Sequence, residues 1–283
     1  MSLFGAIQMG ANTLRAMQIG LHVVGNNIAN ANTPGYVREE AVFAPAPVQR
    51  VGRLQLGLGV TVDGIVQKLD KFVQGRLIGA RSDRAGAEVQ EKAYQDLEVL
   101  IGELSSTDLS SSLSSFFNSI DEVRLNPEDV AVRNLTVLKG QTVAEDFGRL
   151  HSRVLNVRTS LNDRAIALGK EVDDLAEQIR ILNVRIAETE GGDGSNSQAG
   201  GLRDQRQVAV DRLSEIIDIS VTEQTSGGLA VSIGGEFLVF EGQRRAVSVD
   251  QSSENGLPVA TVQFEDNRSP LQTTAGELHG LYT

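Results

Sequence analysis

The stretch that decides the fold is NPEDVAVRNLTVLKGQTVAEDFGRLHSRVLNVRTSLNDRAIALGKEVDDLAEQIRILNVRIAETE, residues 126–190. Phe147, Val154, Leu161, Leu168, Leu175 and Leu182 recur along it at heptad spacing, and Val172, Ile179 and Ile186 supply the companion position in its second half. A heptad repeat places these side chains on one stripe of an α-helix. Asn126 and Pro127 read as N-cap and first helical residue, with Glu128 and Asp129 where the helix dipole favours acids. A helix from Pro127 to Glu190 would span about 95 Å, against about 30 Å for the diameter of a small domain. That is a rod. Leu168 and Leu175 are expected in its packed seam, Gly140 and Gly148 are candidate bending points, and Glu177, off the stripe, should be replaceable at little cost.

Downstream, Gly191 to Gly201 reads as a Gly/Ser-rich turn, and Leu202, Ala209, Leu213 and Ile216 as a returning antiparallel helix. Beyond Asp218 the apolar period switches to two: Ile219/Val221, Leu229/Val231/Ile233, Phe237/Val239, Val247/Val249 and Val259/Thr261, separated by Gly-containing turns. This pattern predicts short β-strands. Another helix starts at Glu277. Upstream, helical spacing begins near Lys68, with Tyr94, Leu97, Ile101 and Leu104 in heptad register. The Ser-rich run from Ser105 to Ser115 reads as helix because Leu109, Leu113, Phe116, Phe117 and Ile120 keep helical spacing.

Residues 1–35 form a different kind of helix. Ile7, Leu14, Leu21 and Ile28 share one heptad position and Leu3, Met17 and Val24 the other, with Gly10 as the exception. Arg15 is the only Lys or Arg before Arg38, and no acid occurs before Glu39. The shoulders are small or uncharged, so the helix suits close packing against other helices or against its own chain. Thr33-Pro34-Gly35 ends it, since Pro34 biases Thr33 away from the α region and Gly35 tolerates positive φ. After it, Val37 and Phe43 lie near Pro45 and Pro47, an edge strand or loop, and Leu58, Val60 and Val62 alternate as a second strand.

The expected fold class is therefore mainly α: an elongated bundle of long heptad-patterned helices with a smaller β-rich domain at the C-terminal end. The expected division is 1–35, N-terminal helix and motif; 36–67, extended or β connecting segment; 68–217, long-helix rod; and 218–283, β-rich domain.

Composition narrows the function. With 37 Asp+Glu against 26 Lys+Arg the net charge is -11 and there is no long basic run, which disfavours a nucleic-acid partner. Cys is absent, and His22, His151 and His279 are scattered, so no thiolate or histidine metal site is expected. No Trp is present and aromatics make up 4%, too few for a stacking cleft. No nucleophile, zinc, phosphate-loop or dinucleotide motif occurs. Asp173-Asp174 and Glu39-Glu40 read as solvated acids rather than catalytic pairs. Asp193 and Asp204 sit at the two ends of a twelve-residue, calcium-loop-like segment, but Gln198 takes the place where that loop needs Gly. The expectation is no enzyme, no cofactor, no metal, no cleaved signal peptide and no membrane insertion.

The run Asn26-Asn27-Ile28-Ala29-Asn30-Ala31-Asn32-Thr33-Pro34-Gly35-Tyr36 resembles the N-terminal signature of the flagellar axial proteins, the rod, hook and hook-associated families. Gly59-Val60-Thr61-Val62-Asp63-Gly64-Ile65, Phe116-Phe117, Asn126-Pro127 and Leu202-Arg203-Asp204-Gln205-Arg206 look like the first hook-associated protein family within them. That family usually reads Leu-Asp-Gln-Arg-Asp in the last segment, so Arg203 and Gln207 depart from it. The resemblance implies a structural subunit of the bacterial flagellum at the hook–filament junction. It also implies assembly outside the cell after flagellar type III export, and self-association into a ring or tube through Leu3, Ile7, Leu14, Met17, Leu21, Val24 and Ile28. Implied partners are the hook protein, the next junction protein, the export apparatus and a chaperone. Family members carry a C-terminal helix matching the first one, so this chain is expected to be part of a longer protein, with the chaperone site in the missing part. A hook or distal-rod subunit is the nearest alternative, and it should be β-rich where this chain has its long helix. A cytosolic coiled-coil scaffold is the more distant one.

Overall fold

The computed structural model describes residues 3–51, 53–101, 109–191, 199–254 and 257–283. Leu104, Asp193 and most of the turn between Gly191 and Gly201 lie outside the described residues. The chain begins with helix α1 (Leu3–Ala29), then β1 (Glu39–Pro45), β2 (Val48–Val51), β3 (Leu54–Gly57) and β4 (Val60–Gln67). Strand β1 pairs antiparallel with β4, and β2 with β3. The Ala46 N–H donates to Gly59 O at 2.9 Å between the two ladders, so the four strands make one long hairpin interrupted at Ala46 and Pro47. The interruption follows from Pro47, which cannot donate to a ladder.

Helices α2 (Lys71–Ile101), α3 (Leu109–Leu125), α4 (Val130–Thr189) and α5 (Gly200–Ile216) follow. Then come β5 (Ser220–Glu223), β6 (Leu229–Ile233), β7 (Glu236–Phe240), β8 (Gln243–Arg244), β9 (Val247–Glu254), β10 (Leu257–Phe264) and α6 (Glu277–Tyr282). Strands β5 to β8 form an antiparallel meander, and β9 and β10 a separate hairpin. The fold is mainly α, with a long helix and a small β-rich region at the C-terminal end.

The sixty residues of α4 span about 90 Å. Its N-cap is not Asn126 but Asp129, whose carboxylate accepts from the N–H groups of Ala131 (2.8 Å) and Val132 (3.4 Å). Asn126 closes α3 instead, its N–H donating to Glu122 O at 3.0 Å. Two capping-type residues stood three apart, and the one whose carboxylate reaches free helix donors takes the cap.

One core joins the helices to the strands. Ile78 of α2, Leu168, Val172, Ala176 and Ile179 of α4, and Ala209, Val210, Leu213 and Ile216 of α5 cluster with Val231, Leu238, Val239, Val262 and Phe264 from the strands. On α4 the companion stripe is the deeper one: Val172, Ile179 and Ile186 are fully buried, whereas Leu175 only packs against the cluster's edge. Gly169 lets the β9–β10 hairpin press onto the helix, since a Cβ there would stand 2.5 Å from Val249 Cγ2.

Two strand faces differ from the alternation read in sequence. In β10 the buried residues are Ala260, Val262 and Phe264, so Val259 and Thr261 lie on the other face. In β7 Leu238 and Val239 are both buried while Phe237 and Phe240 stack outside at 4.9 Å, next to a register shift between Val231 and Ser232. An irregularity in a ladder resets which side chains face inward.

Charged residues also differ from expectation. Asp173 is no solvated acid: it pairs with Arg244 and accepts from the Val247 N–H at 2.8 Å, tying α4 to β8 and β9. Glu177 accepts from both Arg180 and Arg244, and these bonds, Arg180's foremost, bring its pKa down to about 2. Arg212 bridges Glu171, Glu215 and Glu277, fastening α4, α5 and α6.

Candidate assembly interface

Helix α1 shows two faces. Ala16 and Val23 are buried, the only residues of the described helix that are. Leu3, Ile7, Leu14, Met17, Leu21, Val24 and Ile28 are all between 51% and 79% exposed. Phe4, at 85%, and Ile19 also belong to the exposed apolar surface, and the heptad reading missed them. At about 100° per residue both fall off the heptad stripe, Ile19 near the opposite side of the helix, so the heptad pattern held no signal for them.

The buried face lies on the hairpin. Gly20 admits the Phe43 ring, which would stand 3.2 Å from a Cβ at that position. Asn12 donates to Leu58 O at 3.0 Å, and Gly59, at φ +90°, packs against Met9 and Thr13. Gly20 on the helix and Gly59 on the hairpin are therefore the points of close approach between the two.

The Asn-rich motif makes the corner. Asn27 Nδ2 donates to Glu39 O at 2.8 Å, while its Oδ1 accepts from the Glu39 N–H and the Tyr36 hydroxyl, both at 2.9 Å. One side-chain amide thus holds the first residue of β1 in both directions, as a neighbouring strand would. Asn30 Nδ2 donates to Asn26 O at 3.1 Å, and its Oδ1 accepts from the Thr33 hydroxyl at 3.2 Å. The turn 33–36 closes with the Tyr36 N–H on Thr33 O at 3.2 Å. Asn32 and Pro34 are exposed.

Gly35 sits at φ +77° with its α-carbon against α5, where any Cβ would collide with Val208. Beside it, Asp204 Oδ1 accepts from the Val37 N–H at 3.1 Å and from Gln67 Nε2 at 2.7 Å. Asp204 therefore gathers the exit of the motif, the last residue of the hairpin and α5 into one joint. Burial pushes the carboxyls of Asp204 and Glu39 up from their ordinary values, and Glu39 is raised further by the Asp204 charge. Burial and the same two carboxylates raise Tyr36. Carboxyls raised in the folded state bind protons more tightly than in the unfolded chain, so this joint weakens as pH rises through their titration range.

The residues flanking Asp204 have partners of their own. Arg203 pairs with Glu190 and Glu223, both at 2.8 Å, and Gln207 donates to Asp211 at 2.7 Å. The two departures from the usual family segment thus each have a partner. Among the described residues no group of His, Asp and Glu is arranged to hold a metal ion, and no helix is long and apolar enough to cross a membrane. The site offers apolar faces and backbone-splicing amides, which is chemistry for holding and packing chains.

Residues 94–283 match the model of the flagellar hook-associated protein FlgK helical domain, and residues 7–36 that of the flagella basal body rod protein. Flagellar hook-associated protein 1 of Bacillus subtilis is 30% identical over 238 residues, covering 82% of this chain and 46% of that protein. The protein of the same name from Salmonella typhimurium is 28% identical, covering 85% and 44%. The chain thus spans a little under half the length of these relatives. The structure of the flagellar hook junction protein FlgK from Burkholderia pseudomallei shares the fold, with a TM-score of 0.60 at 21% identity over 73% of this chain and 38% of that one.

Proposed function

Because the chain belongs to the flagellar hook-associated protein FlgK family, we propose that it is a structural subunit of the bacterial flagellum at the junction between hook and filament. The observation that carries the reading is α1, whose seven heptad residues are exposed on a helix with a single cation and no acid. Apolar surface of this kind, left facing water, is what a chain–chain contact covers. The absence of charge fits the same role, since an unpaired charge buried in a helix–helix seam costs several kcal/mol.

In this reading Leu3, Ile7, Leu14, Met17, Leu21, Val24 and Ile28 pack against copies of the same helix in a tube. The Asn27–Tyr36 corner and the Asp204 joint set the direction in which α1 leaves the body. The protein is exported unfolded, assembles outside the cell, and contacts the hook protein below and the next junction protein above. Its role is mechanical, without catalysis.

Leu21→Asp tests this in the full-length protein. Each subunit of a ring repeats the cost of desolvating the new charge, so filament growth should be abolished. Melting of residues 68–217 should be nearly unchanged. Purified protein is added externally to hooks lacking their junction proteins, which separates assembly from export. Growth equal to wild type would remove the packing role assigned to α1.

A further inference from the structure

A cavity of about 300 Å³ opens where the N-terminal hairpin meets the body, between the start of α2, one side of α5, and strands β5 and β6. Its wall is largely apolar, with Val37, Leu69, Ile78, Val210, Ile219 and Val221 among the lining residues. The polar part of the wall holds the neutral side chains of Gln67, Gln74, Gln207 and Ser220 and a surplus of cations. Lys71, Arg203 and Arg206 reach it, and Glu223 is its one carboxylate among the described residues.

The partners of these cations are unequal. Lys71 pairs with Glu223 at 2.6 Å, and Arg203 with Glu190 and Glu223. Arg206 has no carboxylate: its Nη1 donates to two neutral oxygens, Asn183 Oδ1 at 2.8 Å and Gly227 O at 2.9 Å. Its Nε is buried without a hydrogen-bond partner, and the residue is only 3% exposed. Two of the three cations thus share the two carboxylates and the third hydrogen-bonds to neither, in a chain whose net charge is -11. Burial, reinforced by the neighbouring Arg203 charge and partly offset by the charges of Glu223 and Glu190, brings the pKa of Arg206 down to about 10. A desolvated guanidinium without a carboxylate is among the least favourable arrangements in a protein interior. Pairing it with one gives the strongest hydrogen bonds an arginine makes.

We propose that this cavity is a binding site for a monocarboxylate carried on a short apolar body, the carboxylate meeting Arg206 and the apolar part lying against the aliphatic wall. The volume is at the lower end of what small-molecule sites occupy, which limits the ligand to a few carbons. Such a group is supplied either by a free organic acid or by the C-terminal residue of a polypeptide.

Gly75 makes the test clean. It lines the cavity from α2, and a Cβ built on it meets no atom within 4 Å. Gly75→Leu should fill the space without straining the fold. The full chain, wild type, Gly75→Leu and Arg206→Met, is titrated by calorimetry and by amide NMR with hexanoate, with hexan-1-ol and with a short peptide ending in leucine. Hexanoate or the peptide should bind saturably, shifting the amides of Val210 and Val221, about tenfold or more tighter than hexan-1-ol. The tighter of the two names the source. Gly75→Leu should abolish binding with an undiminished melting temperature, and Arg206→Met should erase the preference for carboxylate over alcohol. If Arg206→Met does not fold, the wild-type preference and the Gly75→Leu result decide. No saturable binding of either carboxylate, or binding untouched by Gly75→Leu, overturns the proposal.

Discussion

The two halves of α4 carry one heptad ladder and meet different fates. From Val130 to about Asn162 the helix packs against α3, and Val143 is the one buried side chain. Leu135, Val137, Leu138, Phe147 and Val154 are more than a third exposed along it. From Ala165 to Ile186 the same helix is embedded among α5 and strands β7 to β10, and nine of its residues are buried. Phe147 and Val154 occupy the same heptad position as Leu168 and Leu182, and only the second pair is covered. Periodicity therefore reports that a face is apolar. Whether anything covers it depends on elements far away in sequence.

The contrast should be largest for identical truncations in the two halves. Leu168→Ala, at 4% exposure, should cost about 2–5 kcal/mol, as deletions in a well-packed core do. Leu138→Ala, at 58%, should cost less than about 1 kcal/mol. Urea melts of the two variants measure the difference, and equal losses would mean that the halves are packed alike.

Glycines on the same helix give opposite signs. Gly169→Ala drives a methyl toward Val249 and Val262 and should destabilise by about 1–3 kcal/mol. Gly148 faces nothing within 4 Å, so Gly148→Ala should stabilise by about 0.5–1 kcal/mol through helix propensity alone. Gly140, read in sequence as a possible bend, admits the Phe116 ring at 3.1 Å from a Cβ built there, and belongs with Gly169. Thermal melting of the three alanine variants orders them.

Ion pairs sharpen the comparison least. Glu177 in the second half is expected to matter more than its off-stripe position suggested, because Arg180 and Arg244 both bind it. Its folded pKa, about 2, lies below the ordinary carboxylate value, so its contribution is present above about pH 4.5 and is lost as pH falls toward 2. The carboxylate is about a third exposed, which screens the gain, and Glu177→Gln should cost under about 1 kcal/mol at neutral pH. Arg149→Ala removes the exposed arginine of the Asp146–Arg149 pair of the first half, leaving Asp146 its bond from Ser112, and should change stability by no more than about 0.5 kcal/mol. Melting at pH 7 and pH 3 should show a smaller gap between Glu177→Gln and wild type at the lower pH, while Arg149→Ala tracks wild type at both.

How much was legible follows from which interactions are local. The long helix, the returning helix, the strand-forming segments and the apolar stripe of α1 were all readable, because helical and strand periods are written within a few residues of each position. The cap of α4 was misplaced by three residues, since Asn126 and Asp129 are both capping types and only reach distinguishes them. The alternation that marked Phe237, Val259 and Thr261 as strand residues did not say which face is covered, and Ala260, Val262 and Phe264 are the buried set in β10. Asp173 and Glu177 looked solvated because their partner, Arg244, is about seventy residues away.

By itself, then, the sequence determined that this protein is a long-helix molecule with a nearly uncharged first helix, an Asn-rich corner and a β-rich end. Only the tertiary structure decided that Asp204 clamps that corner to α5, that Gly35 and Gly169 are points of close approach, and that half of the α4 ladder is core while the other half is surface. The reason is physical. Backbone period and side-chain polarity are properties of neighbouring residues, whereas burial, hydrogen-bond partnership and the fit of a glycine belong to pairs of surfaces that meet only after the chain has folded.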